Sequence, residues 1–132
     1  LVLRKVQDAY LRTFQELQID MTIEQWVILY RIHQLGDDAS QSDIVKSNFR
    51  NRATTSRVIG GLERKGWITK SRFEGDMKRF KLELTKEGQQ IIELVEPHAN
   101  KLRNQAISGL DVPEFETFLS VLDKIGDNYT QF

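Results

Sequence analysis

A mainly helical domain carrying one small β-hairpin is what this sequence predicts, and three observations lead there. Apolar residues recur at three- and four-residue intervals through most of the 132-residue chain, the spacing that lays a single stripe along a helix. Between Trp67 and Thr85 the period falls to two, on either side of a Gly-Asp turn. Charge is also unevenly placed. Residues 40–81 hold eleven of the nineteen Lys and Arg and four of the nineteen Asp and Glu, a balance of +7 that the rest of the chain cancels to a formal net charge of zero.

The elements follow in order. Val2, Val6, Ala9, Tyr10, Phe14 and Leu17 form the stripe of a first helix. Asp20 and Met21 interrupt it, Thr22 is placed to cap a second helix bearing Trp26, Leu29, Tyr30 and Ile32, and Gly36 ends that helix. Asp37 to Ala39 read as a connecting loop. Ser40 and Asp43, three residues apart, have capping-box spacing and start a short third helix through Ile44 and Val45. Asn48 to Asn51 is a polar turn broken by Phe49. Asn51 is a cap for a fourth helix, from Arg52 to about Lys65, with Ala53, Val58, Ile59 and Leu62 on its core face and Gly66 as its stop.

Trp67, Ile68 and Thr69 then lead into a strand, Gly75 and Asp76 turn the chain, and FKLELT sends Phe80, Leu82 and Leu84 inward with Lys81 and Glu83 outward. Thr85, Glu87 and Gly88 open a long helix holding Ile91, Val95, Ala99, Leu102 and Ala106. Pro97 lies inside it, where the missing N–H costs ~3 kcal/mol in a straight helix, so a kink or two abutting helices is expected. Gly109 ends that element, and Pro113 starts a final helix with Phe115, Phe118, Leu119, Leu122 and Ile125. Gly60 and Gly61, inside the fourth helix, each cost about 1 kcal/mol relative to alanine. Close helix packing is the expected compensation, and a functional hinge the alternative.

Composition narrows the function. The length fits one domain, or one small lobe plus an extension, and is enough to bury a real core. With no cysteine, the chain has no disulfide, thiolate metal site or thiol redox switch. No apolar run approaches the ~18 residues of a membrane span, and LVLRKVQDAY is amphipathic rather than a signal peptide, so a cytoplasmic protein without a membrane partner is expected. His33 and His98 belong to no HExxH, paired-carboxylate or Gly-rich phosphate motif, so catalysis is not expected. Either histidine with Glu93 or Glu96 is a conceivable metal pair, but the clustered ligand spacing of a metal site is missing, and no metal or cofactor is expected.

Three helices followed by strand, basic turn and strand describe a winged helix-turn-helix, in which the fourth helix of the chain enters a DNA major groove and the hairpin is the wing. The basic segment fits that partner, because each neutralised phosphate releases counterions. The N-terminal turns of a recognition helix need short hydrogen-bonding side chains, and RATTSR supplies Arg52, Thr54, Thr55, Ser56 and Arg57. Arg57 is the candidate for a bidentate guanine contact. Arg72, Lys78 and Arg79 are the candidate cations of the wing.

SQSDIV, RATTSRVIGGLERKGWI and the hairpin ending in LTKEG resemble the multiple antibiotic resistance regulator (MarR) family of bacterial transcription factors over nearly the whole chain. LERKGWI followed some twenty residues later by LTKEG is the most specific of these signals. The resemblance implies a homodimeric repressor with interleaved N- and C-terminal helices, bound to a near-palindromic operator, and it adds Ser40 and Gln41 of SQSDIV to the DNA-contacting set. Residues 1–19 and 89–132 are then dimerisation helices flanking a DNA-binding lobe at 20–88, all within one domain. In the wing the family pattern runs aspartate, any residue, arginine, aspartate, any residue, arginine, where this chain has Phe73, Glu74, Gly75, Asp76, Met77 and Lys78. Asp76 is expected to orient a neighbouring basic side chain, while the tip arginine is replaced by Gly75, leaving Arg72 or Arg79 for the minor groove or the wing to phosphate alone.

Peroxide sensing through cysteine is excluded. A small amphipathic or aromatic effector held near Tyr10, Trp26 and Tyr30 is the remaining trigger, although these aromatics read equally as core. The competing classes are a winged-helix module that binds protein instead of DNA, for which the altered wing is the hint, and a metal-responsive regulator.

Overall fold

The computed structural model describes residues 1–47 and 51–130. Asn48, Phe49 and Arg50 of the expected polar turn lie outside the described residues. The caps set the helix starts. Thr22 and Gln25 form a reciprocal box, Thr22 Oγ1 accepting from the Gln25 N–H at 3.1 Å and Gln25 Oε1 from the Thr22 N–H at 3.0 Å, and α2 runs Ile23–Leu35. Asn51 Oδ1 accepts from the Thr54 N–H at 2.8 Å and starts α4, Arg52–Arg64. Each satisfies a donor that a helix N-terminus otherwise leaves unpaired. α1 spans Val2–Glu16 and α3 spans Gln41–Ser47. The expected loop at Asp37 is instead a 3₁₀ turn, Gly36–Asp38.

α2 is the hub of the core, packing on α1, α3, α4 and the hairpin. Trp26, Ile28, Leu29 and Ile32 are buried there with Phe14 of α1, Ile44 of α3 and Ile59 and Leu62 of α4. The hairpin consists of β1, Ile68–Phe73, and β2, Asp76–Leu84, antiparallel with Ile68 opposite Leu84 and Arg72 opposite Phe80. Leu82 is buried and Phe80 and Leu84 are half-buried, the alternation expected from FKLELT. The Leu82 N–H donates to the Ala39 carbonyl at 2.9 Å, fastening the hairpin to the segment before α3.

The most specific sequence signal proves to be one contact. α5, Lys86–Ala106, begins where Thr85 turns off β2. The Thr85 N–H donates to the Trp67 carbonyl at 3.0 Å, the Thr85 hydroxyl donates to the Gly66 carbonyl, and the same Oγ1 accepts from the Gly88 N–H at 3.0 Å. A Cβ on Gly88 would lie 2.0 Å from the Trp67 carbonyl oxygen, so only glycine lets α5 press against the strand there. KGWI and LTKEG thus clasp the neck of the hairpin. Lys65 of the same motif donates to the Asp20 carbonyl and, at 3.0 Å, to Gln25 Oε1, tying the end of α4 to the start of α2.

α5 is unbroken through Pro97, so the expectation of two abutting helices is not met. Its buried face is Gly88, Ile92, Val95 and Ala99. Ile92 takes the position expected of Ile91, which is half-buried, and Ala106 is exposed. α6, Val112–Thr130, starts one residue before Pro113 because Asp111 Oδ1 caps the Glu114 N–H at 2.8 Å. Leu1–Ala99 and Asn100–Phe132 are two compact units, with the boundary inside α5. Among the described residues of α6 none is buried. Phe118, Leu119, Leu122 and Ile125, the apolar residues expected on this helix, are each about half exposed.

Candidate nucleic-acid interface

α4 turns one face to the core and the other to solvent, and its phase differs from expectation at two residues. Thr55, Ile59 and Leu62 are the buried set, at the i, i+4, i+7 spacing of one face. Thr55 is fully buried, so its side chain packs inward and is not a DNA contact, while Ala53, expected in the core, is exposed. Arg57, two residues beyond Thr55, lies roughly 200° around the axis and points away from the core. Arg64, seven residues on, shares that exposed side, a cation the motif reading missed although the spacing signals it. Arg52 is exposed at the first turn, and Thr54 and Ser56 flank the outward face half-buried.

α3 contributes less than expected. Ser40 is fully buried and its hydroxyl accepts from the Asp43 N–H at 3.2 Å, so it caps the helix and does not face a nucleic acid. Gln41 is half-buried, with an Oε1 that is buried and unpartnered among the described residues. The two glycines of α4 are not explained by close helix packing. A Cβ at Gly60 would meet only the Arg64 guanidinium at 3.4 Å, and one at Gly61 the tip of Gln25 at 3.4 Å, both ordinary contacts with movable side-chain ends.

In the wing Lys70, Arg72 and Arg79 are engaged with aromatic rings. The Arg72 guanidinium lies 4.0 Å from the Phe80 ring centre and donates to the Met77 carbonyl, and Lys70 sits 4.0 Å over the same ring. Arg79 lies 4.5 Å over Phe73 and 4.0 Å from the Asp43 carboxylate of α3. Among the described residues, Asp76 is seen to hold backbone and not the basic side chain it is expected to orient. Its Oδ1 accepts from the Lys78 backbone N–H at 2.9 Å, an Asx turn that shapes the loop. Gly75 has φ +76°, a region that an L side chain enters only at a cost, which accounts for glycine where the family pattern has arginine. Lys78 is exposed beside it.

Tyr10, Trp26 and Tyr30 belong to the core. Tyr10 packs edge-on to Phe14 with ring centres 6.3 Å apart, and buried Trp26 stacks on Tyr30 at 5.2 Å, whose hydroxyl donates to Glu96 at 3.2 Å. An open crevice of about 240 Å³ lies elsewhere, lined by Ile32, His33, Gly36 and Asp37 and by Glu83, Leu84 and Gln89. None of the three aromatics lines it. Among the described residues, no group of three or more His, Asp or Glu is placed to hold a metal ion, and no helix is long and apolar enough to cross a membrane.

Residues 21–80, from the start of α2 to β2, match the model of the MarR family. The S. aureus MepR–DNA complex superposes with a TM-score of 0.85 at 23% identity over 96% of this chain and 92% of MepR. A MarR family transcriptional regulator from Listeria monocytogenes, complexed with 26mer DNA, gives 0.79 at 26% identity over 96% of this chain and 83% of that one. Bordetella bronchiseptica BpsR, whose DNA binding is regulated by 6-hydroxynicotinic acid, gives 0.70 at 24% identity over 96% of this chain and 91% of BpsR. Residues 21–80 are thus similar to the MarR-family domain, in a chain that has the winged-helix fold of solved MarR-family transcription regulators.

Proposed function

We propose that this chain is a sequence-specific DNA-binding transcription regulator, a homodimeric repressor released from its operator by a small ligand. The observation that carries the reading is the outward face of α4. Arg57 and Arg64 stand on the side away from the core, with Arg52 at the first turn and Thr54 and Ser56 alongside, the arrangement that base and phosphate contacts in a major groove require. MepR and the Listeria regulator, which share this fold, are both seen with DNA.

The dimer is supported by apolar surface left uncovered. Val2, Leu3 and Val6 are exposed on α1, and α6 exposes Phe118, Leu119, Leu122 and Ile125. Such stripes usually mark an interface. Residues 1–19 and 89–132 are accordingly read as dimerisation helices around a DNA-binding lobe at 20–88. A two-fold dimer places its helices on half-sites about one helical turn apart, roughly 10 bp, hence a near-palindromic operator. The regulation of BpsR by 6-hydroxynicotinic acid supports a small aromatic effector, which must bind one arrangement of the dimer better than the other to act. The place of work is the cytoplasm, where the operator is.

Selection of bound duplexes from a random pool tests the reading. A palindrome with half-sites one turn apart is the expected product, and recovery of no sequence preference would favour a protein partner instead. Sedimentation at micromolar concentration is expected to give a dimer. A monomer showing no concentration dependence would overturn the dimeric part.

A further inference from the structure

The end of the wing carries an exposed apolar side chain on a fixed backbone. Three residues of β2, Met77 to Arg79, stand opposite a single step of β1, because the pairing jumps from Arg72–Phe80 to Phe73–Asp76. The flanks of Met77 are held. Its carbonyl accepts from the Arg72 guanidinium, and the next N–H, that of Lys78, is bound by the Asp76 carboxylate. The side chain itself is 77% exposed. A methionine in water adds nothing to the stability of the fold, so the ordering of this turn around it is not explained by packing.

The other candidates for the tip are accounted for. Gly75 has no side chain, the Asp76 carboxylate is occupied, and Glu74 carries the charge a phosphate groove repels. Arg72 and Arg79 lie on Phe80 and Phe73, and moving either into a groove would give up its hold on the ring. Met77 and Lys78 are left pointing outward.

We infer that Met77 is the side chain this wing sends into the DNA minor groove, so that the wing reads the groove floor by apolar contact instead of by arginine charge, with Lys78 on the adjacent phosphate. The inference rests on the DNA-binding reading above. On an A·T floor an unbranched, polarizable thioether meets only ring edges and weak acceptors. A G·C pair raises the guanine 2-amino group into its path, a donor the thioether cannot satisfy well. Apolar side chains at minor-groove steps also act as wedges, which deformable pyrimidine–purine steps such as TA accommodate best. Met77 is therefore a specificity-determining residue for the sequence flanking each half-site.

The test uses the full chain and the duplex that the wild type enriches from a random pool, its flanks rebuilt with A·T, G·C or inosine·cytosine pairs. Inosine·cytosine keeps the major-groove face of G·C but lacks the 2-amino group. Wild type is expected to bind A·T and inosine·cytosine flanks roughly fivefold to tenfold more tightly than G·C flanks. Met77→Ala is expected to erase that preference without changing the slope of log affinity on log salt, and Met77→Leu to retain it. Lys78→Ala is expected to do the reverse, keeping the preference and lowering the slope. Since Met77 is exposed, the thermal midpoint of Met77→Ala should match wild type and show that folding is not the cause. If wild type enriches a duplex but Met77→Ala keeps the flank preference, or if wild type treats inosine·cytosine like G·C, this inference alone is overturned. If wild type enriches nothing, the DNA-binding reading fails and takes this inference with it.

Discussion

The recognition helix and the wing are both basic and both exposed, yet they hold their cations in opposite ways. On α4, Arg57 stands opposite a buried face of Thr55, Ile59 and Leu62, aimed outward by helical phase. On the hairpin, Arg72 and Arg79 are laid over Phe80 and Phe73. Helical phase directs the first set, and side-chain chemistry holds the second. Charge density along the chain is the same signal for both and does not separate them. The geometry does: on the DNA-binding reading proposed above, the arginines of α4 are free to meet a major groove, whereas the ring-held arginines of the wing leave Met77 and Lys78 to meet the flanking DNA.

That contrast can be broken in four places. The largest effect is expected where both elements hang from a common anchor: Gly88→Ala drives a Cβ into the Trp67 carbonyl and should destabilise the fold by about 3 kcal/mol. A lowered urea midpoint checks it, and DNA affinity should fall on every sequence alike. Next, Arg57→Ala should cost ~1 to 3 kcal/mol on the selected duplex and flatten preference at one base pair per half-site, with little loss on a scrambled duplex. Equal loss on both would make Arg57 a phosphate contact and remove the distinction drawn here. Lys78→Ala should weaken all duplexes similarly and lower the salt slope by about one unit for each phosphate left without its cation. The smallest effect is expected at Gly60→Ala. Since only the Arg64 side chain stands near a Cβ there, the fold should gain about 0.5 to 1 kcal/mol, read as a raised thermal midpoint. A drop would mean that α4 needs that glycine for packing after all.

Much of the fold was legible because it is written locally. Thr22, Asn51 and Asp76 act through hydrogen bonds spanning two or three residues, and the hairpin alternates along its own strand. What the sequence obscured depended on phase or on distant neighbours. Thr55 looks like its neighbours Thr54 and Ser56 by composition, and only its spacing to Ile59 and Leu62 sends it inward. Ser40 caps its helix as its spacing to Asp43 indicates, but its burial, which rules it out as a DNA contact, and the bond from Lys65 to the Asp20 carbonyl forty-five residues away both depend on distant elements. Gly88 gave a motif but no reason until Trp67 was beside it. The aromatic trio Tyr10, Trp26 and Tyr30 falls to the core for the same reason, since whether a ring lines a crevice or fills a core is decided by elements far along the chain. The candidate site was therefore half visible: its elements were foreseen, its facing residues only in part.

The pinned neck of the hairpin has a consequence for how such a protein diversifies. Because Thr85, Gly66, Trp67 and Gly88 close the two legs at their base, the stretch between them is a loop whose ends are already joined. Its entropy of closure is met by the neck and not by the tip. Residues 73–79 can then be exchanged as a cassette, lengthened or recoded for another groove, while the reading helix stays where it is.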